Sequence, residues 1–293
     1  MFRRIIRKLF IKPLLFLGYR WQFLRDNFLW RSIKPYYHFY VDHARDFSLV
    51  SQGDPVSFYS QNAGRVNAVA GALADEKSRK IYLGMIKFRQ TRSKKDYPFF
   101  AFKEEQYFIK ELNLSKDEVF VDCGAFTGDT VDLFLRRCKK CGYKQIIALE
   151  PDPKNYEKLK SKHGNNPKIT FINAGVYDSD GEILFAEDKS GIFKITDNKD
   201  ESVGSITVRA IDGLGLEKVT FIKMDIEGAE LNALKGAEKT ILRDKPKLAI
   251  CIYHSDEDMI RLAEYVHNIV PEYKLYVRHY GFITETVLYA IMP

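Results

Sequence analysis

Cysteine is scarce in this chain of 293 residues: Cys123, Cys138, Cys141 and Cys251 are all it has. Cys138-x-x-Cys141 resembles half of a zinc or redox motif, but no second pair and no His-x-x-x-His follows it. Cys138 also falls at helical spacing from Val131, Phe134 and Leu135, which predicts a reduced core thiol rather than a ligand. Nothing in the set demands an oxidising compartment. Long apolar runs are missing as well. The uncharged stretch from Pro13 to Tyr19 is far too short for a spanning helix. No small-residue cleavage site follows it, so a removed signal is not expected either. Acids are nearly absent from residues 1–40, where Asp26 stands against Arg3, Arg4, Arg7, Lys8, Lys12, Arg20, Arg25, Arg31 and Lys34, a balance of +8. The whole chain carries +7, so residues 41–293 carry −1. A neutral body does not suit a nucleic-acid groove, and no nucleic-acid partner is expected. No internal repeat or low-complexity tract is visible.

What is present begins with that basic N-terminus. On a helical wheel of residues 1–12, Phe2, Ile5, Ile6, Leu9 and Phe10 share one face and the basic residues the other, with both tryptophans, Trp21 and Trp30, soon after. This is the pattern of a cationic helix lying on an anionic membrane surface. A helix packing on the body or on a second subunit has the same moment, so peripheral membrane contact and oligomerisation both stay open. Residues 1–61 are read as this extension, with 41–61 a polar connector, and residues 62–113 as a helical lead-in. Val66, Val69, Ala70 and Leu73 mark one helix there, a second opens near Ser78, and residues 103–113 read as a short third. The body, residues 114–293, follows. An apolar content of 45% is enough for a sizeable core.

From Val119 onward strands alternate with helices. Strands are expected at 119–122, 145–149, 168–172, 219–224 and 247–253, and helices near 129–141, 153–162, 229–243 and 256–269. Asp152-Pro153 supplies a cap and a first-turn proline. Such alternation predicts a parallel sheet with helices on both faces. Residues 182–211 break the rhythm and read as a β excursion beside it. The final strands, Tyr273–His279 and Val287–Met292, are close enough to pair antiparallel. The expected fold class is therefore α/β: a class I methyltransferase (Rossmann-like) parallel sheet with an antiparallel last strand, plus a helical N-terminal extension.

The chemistry gathers at the strand ends. Val119-Phe120-Val121-Asp122 ends in an acid, and Cys123, Gly124, Ala125, Phe126, Thr127 and Gly128 form a turn before a helix opening with Asp129 and Thr130. The next apolar run ends in Glu150, followed by Pro151 and Asp152. A glycine turn, a helix N-terminus and an acid at the tip of the following strand make a nucleoside half-site, with Glu150 taking the ribose hydroxyls. The turn is not Gly-x-Gly-x-x-Gly, which weakens a dinucleotide reading and favours S-adenosylmethionine, a cofactor with no pyrophosphate to cradle. Asp122, Gly124 and Gly128 are expected around its methionine end and sugar, and Ala174 and Gly175, after the third strand, beneath the adenine. An ordinary strand–helix turn would use the same glycines.

Asp225, Glu227 and Glu230 bunch at the end of the fourth strand, on the carboxyl edge where open α/β sheets bind ligands. Asp225 is placed between cofactor and acceptor. Asp225 and Glu227 could hold a divalent metal, a reading not favoured because no histidine joins them in sequence. Glu230 reads as first-turn helix charge. His254, ending the fifth strand, is the candidate proton acceptor, with His279 a weaker one.

Together these segments resemble the FkbM family of S-adenosylmethionine-dependent methyltransferases over roughly residues 62–293. The resemblance rests on Val121 to Thr130, on Ala148-Leu149-Glu150-Pro151-Asp152, and most specifically on Lys223-Met224-Asp225-Ile226-Glu227-Gly228-Ala229-Glu230 followed by Leu234-Lys235-Gly236-Ala237. It implies O-methylation, often of sugar hydroxyls in polysaccharides or secondary metabolites. The expectation is an enzyme that methylates a sugar, glycan or glycolipid precursor at the cytoplasmic membrane face, with His254 and Asp225 catalytic. Two other readings stay open: a methyltransferase for another small metabolite or for nucleic acid, and a non-catalytic membrane-associated binding module.

Overall fold

The computed structural model describes residues 53–97, 106–187, 193–196, 202–281 and 283–293. The amphipathic segment at residues 1–12 lies outside them. Its first described element is a helix, α1 (Pro55–Gln61), inside the stretch read as a connector. Asp54 caps it by accepting from the Val56 N–H at 3.0 Å, and Pro55 stands in the first turn, where its missing N–H costs nothing. α2 (Ala63–Ala72) and α3 (Glu76–Thr91) follow. Asp75 caps α3 by accepting from the Ser78 N–H at 2.6 Å and also binds Arg278 at 2.9 Å, fastening this lead-in to the far edge of the sheet. The short helix expected at 103–113 is, among the described residues, only a 3-10 turn at Lys110–Leu112.

Seven strands form the main sheet: β1 (Val119–Cys123), β2 (Gln145–Leu149), β3 (Ile169–Ile172), β8 (Phe221–Met224), β9 (Lys247–Cys251), β10 (Lys274–His279) and β11 (Thr286–Ile291). Their order is β10-β11-β9-β8-β1-β2-β3. β11 runs antiparallel between β9 and β10, and the other described pairings are parallel. This is the expected arrangement. β1, β8 and β11 are buried along their whole length and β2 and β9 in all but the first residue, which is why they read as unbroken apolar runs rather than alternating ones. α4 (Asp129–Arg137), α5 (Pro153–His163) and α8 (Asp258–Ile269) supply the covering helices. α4 stops at Arg137, four residues short of the expected end.

The β excursion is a separate sheet, ordered β4-β7-β5-β6, of β4 (Gly175–Val176), β5 (Gly181–Glu187), β6 (Phe193–Thr196) and β7 (Gly204–Arg209). The helix expected at 229–243 is two, α6 (Glu230–Lys235) and α7 (Glu238–Asp244), broken at Gly236. A Cβ at Gly236 would stand 2.0 Å from the Tyr177 carbonyl oxygen, so the backbone after β4 presses directly on the break. Buried side chains of α1 (Tyr59), of the lead-in (Ile81, Met85, Phe108) and of the sheet form one hydrophobic cluster. No described helix is long and apolar enough to cross a membrane.

Candidate active site

The carboxyl ends of β1, β2, β8 and β9 converge on one edge. The turn after β1 is tied to β2: the N–H groups of Gly124 and Ala125 both donate to the Leu149 carbonyl, at 3.0 and 2.9 Å. Gly124 has φ +77°, and a Cβ there would lie 2.1 Å from the Asp225 carbonyl oxygen. Glycine is thus required twice over, for its torsion and for the close approach of β8. Gly128, at φ +86°, starts α4 against the His163 ring. Between them Phe126 takes φ +48° and leaves its ring 55% exposed.

Glu150 stands beside this turn, 6% exposed. Its Oε2 accepts from the Phe126 N–H at 2.8 Å and its Oε1 from the Asp152 N–H at 3.0 Å. Burial pushes its pKa up, against those two donors, which favour the carboxylate. Asn173 donates to the carbonyls of Glu150 and Pro151 at 2.8 and 3.1 Å, fixing the strand tip. Asp152 itself caps α5 through the Asn155 N–H at 2.8 Å.

Several of the residues expected around a cofactor have no exposed side chain to offer it. Cys123, Ala125, Thr130 and Ala174 bury their side chains, and burial pushes the Cys123 thiol far up. Gly175 lies in β4, paired with Val208 and packed toward Pro151. Asp129 is exposed in the first turn of α4. The largest departure concerns Asp122. Its carboxylate is wholly buried, 3.1 Å from the Nζ of Lys223, its register partner on β8. Lys223 also donates to the carbonyls of Gly124 and Cys123 at 2.7 and 3.2 Å. Burial alone would lower the lysine's pKa, but Asp122 and then Asp225 reverse this and hold it charged. Lys223 therefore shapes the glycine turn from beneath. The sequence signal for it was a lysine standing inside an apolar strand.

Across the turn, Asp225 is gripped by two tyrosines: Tyr107 OH donates to Oδ2 at 2.7 Å and Tyr253 OH to Oδ1 at 3.0 Å. Tyr107 comes from the lead-in at φ +67°, with its N–H on Tyr289 OH at 3.0 Å. Burial would raise the Asp225 pKa, but Lys223, His254 and the two hydroxyls hold it below the usual value. His254 sits among three acids. Its Nε2 is 3.6 Å from Asp225 Oδ1 and 3.8 Å from Glu227 Oε2, and its Nδ1 is 3.2 Å from Glu230 Oε1. Burial opposes its charge, yet Glu230 first, then Asp225 and Glu227, raise its pKa to about 9. Glu230 is not mere first-turn charge. It is fully buried and accepts from the Ile226 N–H at 2.9 Å, because Glu227 and Gly228, at φ +58° and +97°, fold the chain back toward His254. Asp225, Glu230 and His254 each offer one ligand atom within 4.8 Å of the others, a set that could hold a metal ion. His279 lies elsewhere, buried on β10 between Thr286 Oγ1 at 2.9 Å and Tyr97 OH at 3.3 Å.

The chain is similar to known proteins across this site. The description "Methyltransferase FkbM domain" matches residues 122–284. The hexuronic acid methyltransferase AglP of Haloferax volcanii is 29% identical over 129 residues, 41% of this chain and 50% of that protein. The 2-O-methyltransferase NoeI of Sinorhizobium fredii is 24% identical over 173 residues, 52% of this chain and 69% of that protein. The crystal structure of an FkbM methyltransferase from Methylobacillus flagellatus superposes with a TM-score of 0.69 at 29% identity, covering 81% of this chain and 61% of that one. The match therefore spans between 50% and 69% of these relatives' lengths. The family match covers more than half of the chain and takes in Asp122, the glycine turn, Glu150, Asp225, Glu230 and His254, so the chain belongs to the FkbM methyltransferase family.

Proposed function

We propose that the protein transfers the methyl group of S-adenosylmethionine to a hydroxyl of a sugar, in a glycan or glycolipid precursor. The observation that carries this reading is the position of Gly124. Its N–H bonds the end of β2 next to Glu150, while its Cα abuts the Asp225 carbonyl. One turn thus joins an acid suited to ribose hydroxyls to a cluster suited to an acceptor hydroxyl. The sulfonium methyl is already activated, so the protein's task is to align an in-line displacement and manage the acceptor's proton. Asp225 is the group at hand for the second task; His254, its pKa raised to about 9, stands charged beside it at neutral pH and holds that carboxylate ionised rather than accepting the proton itself. Each oxygen of Asp225 is fixed by a tyrosine, which holds the cluster rigid when an acceptor arrives. The names of AglP and NoeI, a hexuronic acid methyltransferase and a 2-O-methyltransferase, support a sugar hydroxyl as acceptor. The basic, amphipathic residues 1–12 support action at the inner membrane face, where lipid-linked precursors are built.

The test is calorimetry with S-adenosylmethionine, followed by incubation with surface glycans of the source organism and mass spectrometry for an added methyl group. Cofactor binding and a methylated saccharide are the expected results. A folded protein that ignores millimolar cofactor would end the reading.

A further inference from the structure

Among the described residues, the cluster beyond β8 and β9 combines buried ionisable groups of opposite kinds with polar atoms that lack a hydrogen-bond partner. Glu230 is fully buried, and its Oε2 has no hydrogen-bond partner. His254 has a side chain only 9% exposed, and neither of its ring nitrogens has one with acceptable geometry. Three orphaned atoms on two adjoining side chains are unusual, because each buried polar atom left unmade costs on the order of 1–3 kcal/mol. An ion held by Glu230 and by one of the two ring nitrogens removes part of that cost.

The shape of the site and its charge specify the ligand. Two carboxylates and one imidazole converge, with ligand atoms within 4.8 Å of one another. Ions bound by oxygen and nitrogen at about 2.0–2.2 Å hold neighbouring ligand atoms roughly 3–4 Å apart, so a closure of roughly 1 Å at the widest pair completes the set. Asp225 Oδ1 and His254 Nε2, at 3.6 Å, already stand at such a spacing. Groups behind the would-be ligands are in place as well. Tyr107 and Tyr253 orient Asp225, and the Ile226 N–H orients Glu230. Metal sites need such outer contacts to hold their ligands in position. The nearest fixed cation, Lys223, is committed to Asp122 and to two carbonyls. Glu227, its side chain 91% exposed at the lip of the cluster, gives an ion a negatively charged approach.

We propose that Asp225, Glu230 and His254 bind one divalent cation of the class that accepts mixed carboxylate and imidazole ligands, Mn2+ or Zn2+. The site uses the same cluster as the proposed reaction and so rests on the same placement of Asp225 and His254, but its binding can be measured without that reaction. With an ion bound, His254 would serve as a neutral ligand, and positions not filled by the three side chains would be open to a further oxygen ligand. A sugar hydroxyl, or two neighbouring ones, is an oxygen ligand of the kind such an ion takes.

The experiment uses the full chain, freed of metal by a chelator and dialysed. Titration with Mn2+ is followed by the loss of its free electron-paramagnetic resonance signal, and titration with Zn2+ by calorimetry. One saturable site per chain is expected, weakened at least tenfold in Glu230→Gln and abolished in His254→Ala. Should Glu230→Gln fail to fold by circular dichroism, His254→Gln gives the second reading. No saturable site in the wild-type chain, or equal affinity in the variants, overturns the proposal. Calorimetry with S-adenosylmethionine on the same metal-free sample separates the two ideas: cofactor binding without a metal site removes only the cation, and a metal site without cofactor binding removes only the methyltransfer reading.

Discussion

Replacing Lys223 by methionine tests the architecture beneath the glycine turn without any assumption about the reaction. The lysine and Asp122 are a buried pair, at side-chain exposures of 3% and 0%. Neither Asp122 oxygen has a described partner of hydrogen-bonding geometry, so the ion pair with Lys223 is what compensates its charge. Lys223→Met fills nearly the same volume but strands the carboxylate. Stranding one member of a buried pair costs about 3–5 kcal/mol. For a domain of this size each kcal/mol is worth roughly 2–4 °C, so a fall of about 6–20 °C in Tm is expected. Burial already holds the Asp122 pKa above its ordinary value with the lysine present, and more so without it. A carboxyl whose native pKa is raised binds more protons folded than unfolded, so its penalty shrinks as pH falls toward that pKa. The deficit of Lys223→Met against wild type should therefore narrow between pH 8 and pH 5.

Urea denaturation of wild type, Lys223→Met, Asp122→Asn and the double variant measures the coupling directly. The double variant should be more stable than Lys223→Met alone, because the uncompensated charge is gone. Lys223→Met within about 1 kcal/mol of wild type, or strictly additive single effects, would show that the pair is not what holds this region. Cofactor affinity gives a second readout. Lys223 also ties the carbonyls of Cys123 and Gly124, so the variant should bind S-adenosylmethionine more weakly even at temperatures where it stays folded.

Two further substitutions probe separate parts. Glu150→Ala should weaken S-adenosylmethionine binding by about 2–4 kcal/mol, the scale of two charge-assisted hydrogen bonds, read by calorimetry on protein whose circular dichroism is unchanged; unchanged affinity removes Glu150 from the site. Gly236→Ala drives a methyl group against the Tyr177 carbonyl at a residue with ordinary helical φ, so it should cost about 1–3 kcal/mol by overpacking, read in a urea titration; unchanged stability refutes the close approach.

The features that were legible in the sequence are those whose physical cause is local. Asp152-Pro153 caps a helix where a cap was expected, and unbroken apolar runs such as Phe120-Val121 or Leu248-Ala249-Ile250 read as strands buried on two faces. The strand–glycine–helix turn is visible for the same reason, since its torsions are set within a few residues. What escaped depends on partners far along the chain. Lys223 looks like an interruption of β8 until the register sets it beside Asp122, 101 residues earlier. Tyr107 meets Asp225 across 118 residues. Glu230 has the spacing of a helix-start acid, and only the left-handed backbone at Glu227 and Gly228 turns it to face His254. That same turn is why a histidine joins the acids in space when none joins them in sequence, which was the ground for setting a metal aside. The composition of an ion site can thus be fully present in a chain and still be invisible, because its ligands come from two strand tips whose adjacency is a property of the parallel β8–β9 pairing and not of any local pattern.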